Sequence, residues 1–190
     1  MAMRHSSFLG LLAAFLCGCQ SVVVRDAPRP VRVADGVQID SVPLVEALLA
    51  QTGTVAQALN GSWKENAFAA EVVMKGDGQT FTAVFLAPQM RLATITLTRP
   101  HTIRFERAAQ IPRMFEPEYA LTDLAFVNLP ASALRRALGP SLRVEDDGAT
   151  RRILAGATPV AELVTNPDGT RTFRNLIHTY EYTLRHVPLQ

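Results

Sequence analysis

Between Gln79 and Arg107 apolar side chains recur at every second residue through three successive segments, and few folds accommodate that pattern. In residues 79–87, Phe81, Ala83 and Phe85 alternate with Thr80, Thr82 and Val84, as on a half-buried strand. Pro88 lacks an N–H and restricts the residue before it, so this strand ends near Ala87. Residues 91–98 resume with Ala93, Ile95 and Leu97 inward; Arg99-Pro100 turns the chain, and Ile103 and Phe105 continue the face through Arg107. Three antiparallel strands in a row make a meander, and its apolar face has to close on itself or be covered.

Strand patterns recur on both sides. Residues 55–59 and 62–75 precede the meander, with a turn or bulge expected at Asn60-Gly61-Ser62 and a hairpin at Gly76-Asp77-Gly78. Trp63, the only tryptophan, reads as a core or barrel-mouth residue. Five short strands follow, at 142–145, 152–155, 160–164, 170–176 and 178–186, punctuated by Asp146-Asp147-Gly148, Gly156 and Asn166-Pro167-Asp168-Gly169. About ten strands exceed what an open twisted sheet carries without curling. The fold class is therefore mainly β with helices (α+β): a curved antiparallel sheet, or open incomplete barrel, with a helical lid.

The helices fall in two places. Ser41, Pro43 and the stripe Leu44, Val45, Leu48 and Leu49 predict a short helix ending before Gly53, packed across one end of the sheet. Pro117 opens a second through about Val127, with Tyr119, Ala120, Leu124 and Val127 as its stripe; Pro130 opens a third through Leu138, with Leu134, Ala137 and Leu138 inward. Two helices between blocks of strands suit a lid or plug, not a βαβ alternation.

The N-terminus is read apart from the fold. Residues 1–18 form a lipoprotein signal peptide: Arg4 and His5, an apolar run from Phe8 to Leu16, then Leu16-Cys17-Gly18-Cys19, the pattern of a bacterial lipobox. The run is too short to span a bilayer as a helix. Lipidation is expected at Cys19, by acyl chains such as palmitate, and residues 19–40 read as a lipidated tether carrying Pro28 and Pro30. Residues 41–190 form one domain. Cys17 leaves with the signal and Cys19 carries lipid, so no thiol remains for a disulfide. The chain carries a formal net charge of +2 without a basic or acidic block, which gives nucleic acid no footprint.

Chemistry is sparse. His101, His178 and His186 stand at no metal-binding spacing, and no GxSxG, P-loop or GxGxxG motif is present. Glu116 and Glu118 flank a helix start, where acids favour the dipole, and Asp146-Asp147 lies in a turn. The expectation is a protein that is not an enzyme, without metal or cofactor; an acyl-ester hydrolase is the weakest alternative. Binding fits better. Phe81, Phe85, Ile95, Leu97, Ile103 and Phe105 form the expected lipid-binding face, with small alanines between them that either leave room for a guest or let sheet and helices pack closely, and Leu124 and Leu134 face it from the helices. Met90, at the tip after Pro88, is the remaining candidate.

Gly61-Ser62-Trp63, Leu86-Ala87-Pro88 with Arg91-Leu92, residues 115–123 (FEPEYALTD), Leu129-Pro130-Ala131, residues 134–138 (LRRAL) and Glu145-Asp146-Asp147-Gly148 with Arg151-Arg152, together with the lipobox, resemble a family of bacterial lipoproteins of unassigned function. That family is often encoded with aryl polyene synthesis genes, beside a LolA-like carrier and a large lipid exporter. The layout is similar, more distantly, to LolB, which implies an incomplete barrel with a helical lid over an apolar cavity and a protruding leucine, for which Met90 stands in here. Gln20 after the cysteine resembles an outer-membrane sorting signal. The resemblance implies an outer-membrane-anchored, periplasm-facing protein that binds acyl chains or a polyene lipid and receives or hands them over, with a LolA-like periplasmic carrier as partner. The alternative is a non-catalytic envelope adapter for a lipid exporter or synthase.

Overall fold

The computed structural model describes residues 21–63, 66–109, 111 and 116–189. Along the chain run β1 (Ser21–Arg25), β2 (Val31–Ala34), β3 (Val37–Ile39), α1 (Val42–Leu49), β4 (Thr52–Trp63), β5 (Asn66–Asp77), β6 (Thr80–Ala87), β7 (Met90–Thr98) and β8 (Thr102–Arg107). Then come α2 (Pro117–Asn128), α3 (Ala131–Leu138), β9 (Arg143–Asp146), β10 (Thr150–Ala155), β11 (Thr158–Thr165), β12 (Arg171–Asn175) and β13 (Tyr180–Val187).

All strands except β2 and β3 join one antiparallel sheet of eleven, in the order β1-β8-β7-β6-β5-β4-β13-β12-β11-β10-β9. Its outer strands β1 and β9 do not meet, so the sheet is open. The central seam joins β13 to β4, from Tyr180 opposite Trp63 to Val187 opposite Ala56. The expected meander is present, with Phe81 opposite Leu97 and Ile95 opposite Phe105. Alternation puts Phe81, Ala83, Ile95, Leu97, Ile103 and Phe105 on the buried face.

What covers that face is α2. Pro117 supplies the first-turn φ, and nearly the whole helix is buried, including Glu118, Leu121, Thr122, Leu124, Ala125, Phe126 and Val127. A helix enclosed on most sides belongs to the core and not to a surface layer. Side chains from widely separated strands reach it: Arg25 of β1 pairs with Glu118, Met74 of β5 meets Asn128, and Arg151 of β10 and Arg171 of β12 donate to its last carbonyls. The sheet is thus curled around α2. α1 lies over one end with Leu44, Val45, Leu48 and Leu49 buried, the stripe the sequence predicts, and α3 packs against α1 and β9.

Four expectations change. Residues 21–39, read as a tether, hold the edge strand β1, paired with β8 from Ser21 opposite Arg107, and the β2–β3 hairpin. A strand of five residues has no period of its own to display; its partner lies some eighty residues downstream. Asn60-Gly61-Ser62 is not a turn, because β4 runs through it. Gly61 is there for closeness: a Cβ would lie 2.4 Å from the Glu181 carbonyl oxygen and 2.6 Å from Tyr182 Cβ. His178 sits in the turn before β13, where Thr179 takes a positive φ. Finally, Tyr119 and Ala120 are only half-buried, while Leu121, Ala125 and Phe126 are enclosed, so the buried face of α2 is wider than the expected stripe. The Gly76-Asp77-Gly78 hairpin forms as expected, its Asp77 carboxylate accepting from the Gln79 and Thr80 N–H groups.

Candidate functional site

The expected lipid-binding side chains come together in a packed cluster. Phe81, Ile95, Leu97, Ile103, Phe105, Leu124 and Leu134 are all at most 5 % exposed and belong to one cluster, with half-buried Phe85 packed against it. The alternation identifies the inner face correctly; what it does not reveal is that α2 fills the space. Met90 stands apart, exposed at the start of β7, and Cys19 lies outside the described residues. Phe81 also lines a larger pocket.

That pocket, about 200 Å³, opens under α1 at the end of the sheet where β4 begins and β5 ends. Leu48 of α1, Val55, Met74 and Phe81 give it apolar walls; Asn128, Arg171 and His186 add polar ones. Each comes from a different part of the chain, so the pocket exists only in the folded sheet. Its floor is tied down by hydrogen bonds: buried Gln57 donates to Asn128 Oδ1 at 2.8 Å, and Asn128 Nδ2 donates to the Leu124 carbonyl at 3.0 Å. Arg171 Nη1 donates to the Val127 carbonyl at 3.0 Å. Burial, reinforced by nearby Arg151, depresses the Arg171 guanidinium pKa, so an anion beside it would be favoured electrostatically.

A second, smaller feature lies toward the opposite end. Asp123 of α2 accepts from the Tyr180 hydroxyl and, at 3.3 Å, from Asn175 Nδ2. Burial raises its carboxyl to about 7, against the pull of those two hydrogen bonds. The Tyr180 phenol is raised too, first by burial and then by the adjacent Asp123 charge, and burial lowers His178. His178 stacks on Tyr180 at 6.4 Å between ring centroids and meets Tyr119 edge-on at 4.9 Å. The adjoining void holds about 20 Å³, room for one water.

Of the acids singled out in the sequence, Glu116 and Glu118 pair with Arg25 and Asp146 with Arg151 at 2.7 Å, while Asp147 accepts from the Ala149 and Thr150 N–H groups. Among the described residues no three His, Cys, Asp or Glu side chains converge on a metal site. Among the same residues no helix is long and apolar enough to cross a membrane. Sequence reading missed Arg171, Asn128 and His186 in the pocket and Asp123 with Asn175, because nothing local links residues so far apart.

Residues 54–188 match the family model described as Protein of unknown function (DUF3261). The chain belongs to this family. The match runs from the third residue of β4 past the end of β13, so it includes the paired residues of the central seam, α2 and the pocket walls from Val55 onward. No curated protein matches the chain.

Proposed function

We propose that this family member is a lipid-anchored, non-enzymatic outer-membrane protein, LolB-like in plan, that takes the end of an amphipathic acyl or polyene chain into the pocket beneath α1. One observation supports this most directly: the pocket sets Leu48, Val55, Met74 and Phe81 beside Arg171 and His186. Apolar walls next to a half-buried guanidinium suit a hydrophobic chain that bears an acidic group. At about 200 Å³ it falls below the roughly 300–1,000 Å³ of sites that enclose whole drug-sized ligands, so it takes a chain segment. Each buried methylene would contribute about 0.8 kcal/mol. Displacement of α1, which closes the pocket with Leu48, would lengthen the groove. Cys19 would hold the domain at the membrane, and a LolA-like periplasmic carrier would be its partner in exchange.

The test is native mass spectrometry of residues 20–190 expressed in the periplasm, followed by lipid extraction. A stoichiometric acyl or polyene species that disappears in Val55→Trp, which fills the pocket from a half-exposed wall, is the expected result. A ligand-free chain that also rejects added fatty acid would sink the reading. The filled interior around α2 favours a second one: an envelope adapter whose core is purely structural. An adapter would be stable, empty and indifferent to Val55→Trp.

A further inference from the structure

The hairpin registers divide the turns of the large sheet between two ends of different chemistry. At one end lie the β5–β6, β9–β10 and β11–β12 turns, carrying Asp77, Asp146 with Asp147, and Asp168, together with the β7–β8 turn at Arg99-Pro100-His101. At the other lie the β6–β7 turn, Pro88-Gln89; the β10–β11 turn, Gly156-Ala157; and the β12–β13 turn, Leu176-Ile177-His178-Thr179. None of these three contains an acid; the β4–β5 connection at the same end is Lys64-Glu65, one charge of each sign, and lies outside the described residues. Leu176 and Ile177 are 44 and 37 % exposed, and Phe68, Met90 and Val22 are also exposed near that end. Ser21, where β1 begins, lies there too, opposite Arg107 at the end of β8. Cys19 is two residues earlier, so a lipid on it could be no more than about 7 Å of extended chain away.

We propose that the end led by Leu176 and Ile177 rests on the bilayer surface, and that the pocket beneath α1 therefore faces away from the membrane. This rests on Cys19 being lipidated. Apolar tips gain by entering the interface, whereas turns lined with aspartate stay in water. Val55 of the pocket stands eight residues along β4 from Trp63 at the membrane end, about 26 Å at 3.3 Å per residue. The pocket would then be open to partners in solution, and the membrane would be met by a different surface.

The experiment uses the full chain, matured in cells and reconstituted in vesicles of phosphatidylethanolamine and phosphatidylglycerol. Cys17 and Cys19 are the only cysteines, so Ile177→Cys or Asp168→Cys gives the mature chain a single thiol for an environment-sensitive fluorophore. Nitroxide-headgroup lipid should quench the probe at 177 severalfold more than the probe at 168. Equal quenching, or stronger quenching at 168, overturns the orientation. In a Pro88→Cys background, Leu176→Ser with Ile177→Ser should reduce quenching at 88; no change overturns the leading role of that turn. A chain without acyl groups on Cys19 would fail to enter the vesicles and overturn the anchor and the orientation together. A chain that enters with its 177 probe in water overturns the orientation alone.

Discussion

The last turn of α2 and its middle both hold polar groups screened in part from solvent, yet those groups are satisfied by opposite means. Arg151 donates to the Phe126 and Leu129 carbonyls at 2.9 and 2.8 Å, and Arg171 to that of Val127. Permanent cations thus meet the negative end of the helix dipole. In the middle, the hydrogen-bond partners of Asp123 among the described residues, Tyr180 and Asn175, are neutral, so its own proton decides whether the site is charged. The first arrangement is indifferent to pH in the physiological range; the second is not.

The strongest way to break the contrast is Arg151→Met. It keeps much of the stem but leaves two carbonyls and Asp146 without their donor, and should cost about 3–5 kcal/mol in denaturant unfolding. Lysine in its place should recover only part, lacking the planar fork. The next effect concerns pH. Because the folded Asp123 carboxyl is raised to about 7 from its ordinary 3.8, the native state binds more protons than the unfolded state between those values. Its contribution is complete below pH 4 and is lost as pH rises through 7, by about 2–4 kcal/mol at one pKa unit per 1.36 kcal/mol. Asp123→Asn should flatten that part of the stability profile measured by urea titration.

Tyr180→Phe sharpens the same point more gently. It removes a hydrogen bond that lowers the Asp123 pKa, so the midpoint should move up, with a loss of about 1 kcal/mol at neutral pH. The smallest effect belongs to Arg152, whose 3.0 Å pair with Glu162 is on the surface. Arg152→Ala should change stability by less than about 1 kcal/mol, showing that burial, not the pairing of charge, separates it from Arg151.

The sequence was a good guide wherever the signal was local. The β6–β8 face follows from alternation, and α1 from Pro43 and a four-residue stripe. It was a poor guide wherever a residue's meaning depends on a distant neighbour. Gly61 carries a turn signal but serves the close approach of β13. Val23 looks like part of a tether until β8 is present to pair with it. Phe105 and Leu97 belong to the right face for a guest, but helix α2 occupies the space there. The pocket was invisible for the same reason, since Val55, Arg171 and His186 meet only after the sheet has assembled.

The order of strands also bears on how the molecule can come into being. β4 is joined from Ala56 to Trp63 to β13, and β1 to β8, so the middle of the sheet waits for the last strand and its first edge for the eighth. Such non-local pairings form slowly, because long loops must close before any contact rewards them. A chain delivered N-terminus first would carry an unsealed seam until residues 180–187 arrive. Until then β4 presents an unpaired edge, open to any passing strand or chaperone.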